Sequence, residues 1–165
     1  ANDGVNGFAA APTSGNSNSS AISGWSQTNA ADSSWNSNTE ANPVKVTAND
    51  PCPTGYRVPT RTEWAAVDNN NTVSRTGTFA PGPTEYGSAL HYGPDASTKS
   101  LTLPAAGYRD NFLNGALYDR GDLGYYWSST ENGSFAYKLF FGSSFVDPVN
   151  FNTRTYGLSV RCIAE

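Results

Sequence analysis

The sequence predicts an α+β domain with one short helix, many short strands and long loops. Three observations carry this reading. One segment alone has the chemistry of a helix start: Thr60 as N-cap, Glu63 three residues on to complete a capping box, and Trp64, Ala65 and Val67 on an apolar side. Alternating apolar and polar runs of strand length recur through the second half of the chain. Between them lie stretches rich in Gly, Pro, Asn and Ser, the residues that punctuate turns.

In chain order, residues 1–42 are an arm rich in Ala, Ser, Asn and Thr, with Phe8, Ile22, Trp25 and Trp35 as its large apolar anchors. Such a composition does not fold alone, because too little apolar surface offsets the ordering entropy. The two tryptophans predict that it lies against the domain of residues 43–165. Pro43 to Val46 reads as a short strand. The prolines at 51, 53 and 59 forbid a helix from Asn49 to Pro59. The helix then runs from Thr60 to a cluster of cap-forming residues at Asp68 to Asn71.

Residues 72–98 read as a long loop region anchored by Phe79, Tyr86, Leu90 and Tyr92, with a short helix near Glu85 to His91. Ser100–Pro104 is predicted as a strand with Leu101 and Leu103 on one face, and Ala105–Arg109 as a second. A hairpin-like turn is expected at Asn114-Gly115 and another turn at Asp119 to Gly124, before an aromatic strand from Tyr125 to Ser128. Ser134–Phe141 alternates, with Phe135, Tyr137, Leu139 and Phe141 on one face and Ala136, Lys138 and Phe140 on the other. GSSFVDPVNFNTRTY follows as a turn-rich link in which Val146 and Val149 tack a short strand. GLSVRCI, with Leu158, Val160 and Cys162 alternating, is expected to pair antiparallel with Ser134–Phe141.

The chain has 165 residues, enough for one domain with a core. Only 37% of them are hydrophobic, yet there are 4 Trp, 9 Tyr and 8 Phe, so the core rests on rings. The net charge is −4 without a basic stripe, which argues against nucleic acid. No apolar run approaches the roughly 20 residues of a membrane helix. The first residue is Ala and no leader pattern is present, as expected of a processed mature form or an excised piece. Cys52 and Cys162 are too far apart in sequence for a local metal or redox pair, which leaves a long-range disulfide or two buried thiols.

Catalytic chemistry is sparse. His91 is the single histidine, and no nucleophile stands at a recognisable spacing from it. Phosphate-binding and dinucleotide motifs are missing. Asp110, Asp119 and Asp122 lie close together and could offer oxygen ligands to calcium, but they match no EF-hand spacing and serve equally well as turn acceptors. No cofactor and no enzymatic activity are expected. Arg57, Arg109 and Arg161 are read as structural clamps, and Trp127 as a core ring followed by backbone-capping hydroxyls at Ser128, Ser129 and Thr130.

The aromatics of the last quarter differ. Phe140 points away from the face of Leu139 and Phe141, while Phe145, Phe151 and Tyr156 sit in or beside turns. Rings on a polar surface mark a contact patch, so these four are expected to form, at least in part, an exposed partner site.

Four motifs in order, DPCPTGYRVPTRTEW at 50–64, LPAAGYRD at 103–110, YYWSST at 125–130 and YGLSVRCI at 156–163, resemble the Fibrobacter succinogenes major paralogous domain. The resemblance implies a C-type lectin-like or formylglycine-generating-enzyme-like fold, a surface or lipoprotein location, and a disulfide between Cys52 and Cys162. With both cysteines so committed, the copper-binding pair of the related oxidases has no counterpart. The stretch 130–162 is also similar to the variable region of proteins diversified by retroelements of gut Bacteroidales and their phages. That likeness implies a replaceable set at Ser134, Phe135, Tyr137, Phe140, Ser143, Ser144, Phe145, Asp147, Asn150, Phe151, Asn152 and Tyr156, set in a scaffold that includes Trp127, Leu139, Gly142, Val160, Arg161 and Cys162. The expectation is a secreted or surface-displayed domain that binds a protein or glycan through those twelve positions, without spanning the membrane. The alternative is a structural or adhesive subunit of a cell-surface or virion fibre.

Overall fold

A computed structural model describes residues 24–81, 87–112 and 114–165. The described chain is mostly antiparallel β-structure with one short helix. Its elements are β1 (Tyr56–Arg57), α1 (Arg61–Asn69), β2 (Thr72–Thr76), β3 (Ala89–Gly93), β4 (Leu101–Pro104), β5 (Tyr108–Arg109), β6 (Leu117–Tyr118), β7 (Gly124–Asn132), β8 (Phe135–Phe141), β9 (Val146–Thr153) and β10 (Ile163–Ala164). They form two three-stranded sheets, β2-β3-β4 and β7-β8-β9, and two small ribbons, β1-β10 and β5-β6.

The helix starts as its sequence dictates. Thr60 accepts from the Glu63 amide, and the Glu63 side chain accepts from the Thr60 amide at 2.8 Å, so two otherwise orphaned donors are satisfied reciprocally. Arg57 grips the same carboxylate with two N–H groups, at 2.7 and 2.5 Å, which joins β1 to the helix start. Trp64 enters the core, and its indole N–H donates to the Trp127 carbonyl at 3.2 Å.

The core lies between α1 and the two larger sheets. Trp64, Phe79, Leu90, Tyr92, Leu103, Ala105, Tyr126, Leu139 and Phe141 form its cluster. Tyr126 meets the Trp64 ring edge-on at 6.3 Å and stacks on Phe141 at 6.2 Å, and Phe79 meets Phe141 edge-on at 6.4 Å.

Several expectations are corrected. Thr72–Thr76 and Ala89–Gly93 are paired strands rather than loop. The expected helix at Glu85 to His91 begins outside the described residues, as do Phe8, Ile22 and Tyr86, while its end falls on β3. All five β3 positions are buried, so no period betrays the strand. His91 is thus a strand residue, 2.9 Å from both the Thr76 and Thr102 hydroxyls, and its burial holds its pKa below the ordinary value. Of the expected strand at Ala105–Arg109 only Tyr108–Arg109 pairs, and Pro43–Val46 contributes a single bridge, Asn36 to Lys45. The link after β8 is an eight-residue strand, β9.

The closing segment does not pair with β8, because β7 and β9 already occupy both of its edges. It runs beside β7 instead: Ser159 makes a parallel bridge to Tyr126, with its amide on the Tyr125 carbonyl and its carbonyl on the Trp127 amide. Cys162 then bonds Cys52, with Cα atoms 5.8 Å apart and 110 positions between them.

Around that disulfide the loop is organised from within. Asp50 accepts from the Cys52 and Val58 amides at 2.8 and 3.0 Å. The Lys45 ammonium donates to the carbonyls of Cys52, Pro53 and Tyr56 at 2.5, 2.9 and 2.5 Å, with Asp50 at 3.9 Å. Side-chain groups here satisfy backbone that the prolines exclude from any ladder.

Candidate ligand-binding face

The β8-β9 hairpin carries the candidate positions. β8 pairs with β9 at Phe135↔Thr153, Ala136↔Asn152, Tyr137↔Phe151 and Lys138↔Asn150, and after a bulge at Phe140↔Asp147. None of the twelve positions is buried, whereas Leu139 among them is wholly buried. The two-residue period separates them further. Lys138 and Phe140 share the sheet face of Trp127 and Tyr125, their cross-strand partners, while Leu139 and Phe141 face the core.

The rings form two groups. Phe145 meets Phe140 edge-on at 4.8 Å, Phe140 stacks on Tyr125 at 4.8 Å, and Tyr125 meets Tyr108 at 5.1 Å. Tyr108 continues to Tyr118 at 5.8 Å and Tyr156 at 5.5 Å. Phe151 joins Phe135 at 5.5 Å and Tyr137 at 6.2 Å on the other face, where Arg61 lies over the Tyr137 ring at 4.6 Å. Of the four rings expected to form a patch at least in part, Phe140, Phe145 and Tyr156 belong to one group and Phe151 to the other. Phe151 is opposite Tyr137 in register, and that places it across the sheet from Phe140.

The polar candidates are locally tied. Asp147 accepts from the Val149 amide at 3.1 Å and the Asn150 side chain at 2.8 Å. Ser143 and Ser144 are exposed on a loop held from below, where Arg75 of β2 donates to the carbonyls of Gly142 and Phe145 at 2.9 and 3.1 Å. Ser134 is exposed in the β7-β8 turn.

Lys138 is the unexpected member of this face. It is only 4% exposed, with Nζ 5.0 Å from the Tyr125 ring centroid and 5.4 Å from that of Phe140. With the Asn152 amide turned so that its oxygen faces Nζ, the two lie 3.2 Å apart. Burial pushes its pKa down to about 8, against a weaker upward pull from Asp147. Between that value and the ordinary 10.5 the unfolded chain holds a proton that the folded chain has released, so this group makes stability rise with pH. Denaturation midpoints of the parent and Lys138→Met at pH 7 and 9.5 check this. The parent is expected to gain about 1–2 kcal/mol relative to the variant, and an equal response in both would contradict it.

Three further residues belong to this face although the sequence did not single them out as site residues. Tyr125, Tyr108 and Tyr118 extend the ring group, and the signal that could have found the first was its register opposite Phe140. The Tyr125 hydroxyl donates to Asp119 at 2.8 Å, and Asp110 accepts from the Phe112 amide at 2.7 Å. Burial, with Asp119 nearby, pushes the Asp122 carboxyl up. Among the described residues no group of three or more His, Cys, Asp and Glu is placed to hold a metal ion.

Trp127 is buried as expected of a core ring, and it also lines a cleft that the arm borders. Trp25 donates to the Thr155 carbonyl at 2.8 Å and lies where side chains at Gly115 and Gly157 would stand. Arg154, with a side chain only 8% exposed, pairs with Asp32 at 2.8 Å and Glu131 at 3.7 Å, and donates to the carbonyls of Ala30, Gly133 and Phe135. It staples the arm to the β7-β8 hairpin.

The sequence profile of the Fibrobacter succinogenes major domain matches residues 28–164, from within this stapled arm to β10. The chain belongs to that family. Comparison of this Fibrobacter succinogenes major domain with curated proteins and with solved structures returned no match. Among its described residues, no helix is long and apolar enough to cross a membrane.

Proposed function

We propose that this Fibrobacter succinogenes major domain is a non-catalytic binding domain, displayed outside the cell, that engages a protein or glycan through the β8-β9 hairpin and its loop. The observation that carries the reading is the separation of side chains along one hairpin. The twelve candidate positions all keep solvent exposure, while Leu139 and Phe141 between them are fully buried. Residues of the first kind can be exchanged without disturbing the core, as paratope residues are. Phe145 at 38% and Phe151 at 48% exposure supply rigid contact area at low entropy cost.

This pattern suits diversification by a retroelement, and the short strands with long loops suit a C-type lectin-like framework. The disulfide suits an oxidising compartment.

On arrays of glycans and extracellular proteins the parent gives a saturable signal, and a variant combining Phe145→Ser with Phe151→Ser loses it. Its stability changes by no more than about 1 kcal/mol, as for surface sites. Unchanged binding, or a large fall in melting temperature, defeats the reading. A neighbouring reverse transcriptase gene with an adenine-substituted copy of the codons for 130–162 would establish diversification.

One observation favours a second reading, a fibre subunit. β9 is the outer strand of its sheet and exposes Val149 at 50% beside Phe151, a surface a second copy could cover. Concentration-dependent assembly in sedimentation, abolished by Val149→Lys, would select it.

A further inference from the structure

The stapled arm leaves a cleft of about 530 Å³ between itself, β7 and the closing segment, separate from the Phe140–Phe145 end of the hairpin. Three of the four tryptophans line it: Trp25, Trp35 and Trp127. Its size falls within the roughly 300–1,000 Å³ of small-ligand pockets.

The indole N–H groups divide into two kinds. Those of Trp25 and Trp64 donate to the carbonyls of Thr155 and Trp127. Those of Trp35 and Trp127 have no acceptor among the described residues, although Trp127 is only 6% exposed. Neither indole nitrogen is sealed from solvent without a partner, so each remains open to an acceptor that comes from outside the chain.

The occupant's chemistry follows by elimination. A purely apolar molecule would cover both free N–H groups and leave them unpaired. An anion finds no seat, because Arg154 is already neutralised by Asp32 and Glu131. Indole rings lining the cleft with two free donors, beside the Glu131 carboxylate, suit a ligand with flat C–H surfaces and neutral hydroxyls, each able to donate and accept. We infer that this cleft is a binding site for neutral pyranose sugars, stacked on Trp35 and Trp127 and hydrogen-bonded by their free indole N–H groups.

The test uses the full chain with 15N-labelled indoles, titrated with cellotetraose, maltotetraose and mannotetraose into the millimolar range. At least one sugar is expected to move the Trp35 and Trp127 indole resonances saturably while leaving that of Trp64 in place. Trp127→Phe, which keeps a ring but removes the N–H, weakens this binding at least about tenfold. Phe145→Ser leaves it unchanged, so failure here and failure of the hairpin reading are distinguishable. The inference is overturned if no sugar gives a saturable shift, if Trp64 moves equally, or if Phe145→Ser abolishes the response. The parent's indole pattern decides the matter even if Trp127→Phe fails to fold.

Discussion

Reducing the Cys52–Cys162 bond lowers the unfolding free energy by about 4–5 kcal/mol, the loop-closure estimate for a link spanning about 100 residues. The bond spans 110 positions and stands beside the β1-β10 ribbon, whose two pairs, Tyr56↔Ala164 and Arg57↔Ile163, bring the two ends of the compact region together. So short a ribbon has little stability of its own. Against a total of about 5–15 kcal/mol for a domain, the loss is a large fraction. Urea midpoints with and without reductant measure it, and a Cys52→Ser, Cys162→Ser double variant should reproduce the reduced value. An unchanged midpoint would show that the ends hold without the bond.

Truncating Phe141 is expected to cost about 3–5 kcal/mol. The ring is fully buried between Phe79 and Tyr126, and its far end points at Gly124 on β7, where an added Cβ would lie 2.0 Å from Cζ. Gly124→Ala is therefore destabilising in the parent, because the ring and the methyl cannot both occupy the space. In Phe141→Ala that space is vacant, so the same glycine change should cost less there. The double-mutant cycle is expected to show a coupling of at least about 0.5 kcal/mol, and strict additivity would refute the assigned contact.

Residues with strong local chemistry were legible in sequence. Thr60 and Glu63 specify the helix start by themselves, and the alternation of Phe135 to Phe141 specifies which side of β8 enters the core. β3 was not legible, because a strand buried on both faces has no period, and the loss of the period hid β2 with it. β9 was obscured by Asp147, Pro148 and Asn150, turn-forming residues that an edge strand tolerates where a central one would not.

At the candidate face, the exposure of the twelve positions followed from composition and resemblance, but their division between two sheet faces required the register. Lys138 was hidden for a different reason. Its burial is imposed by Tyr125 and Phe140 on a neighbouring strand and on its own, and no one-dimensional pattern distinguishes it from a solvated lysine. Arg154 was similarly obscured, since its partners lie over a hundred residues away in the arm as well as in the β7-β8 turn.

The position of Lys45 has a consequence for where such a domain can work. Loop carbonyls gathered around one cation are commonly served by calcium, which leaves when the surrounding concentration falls. Here the cation is tethered to the backbone, so its occupancy does not depend on dilution or on chelators. The disulfide-bearing loop thus keeps its shape in media whose mineral content varies, with no reservoir of ions to draw on.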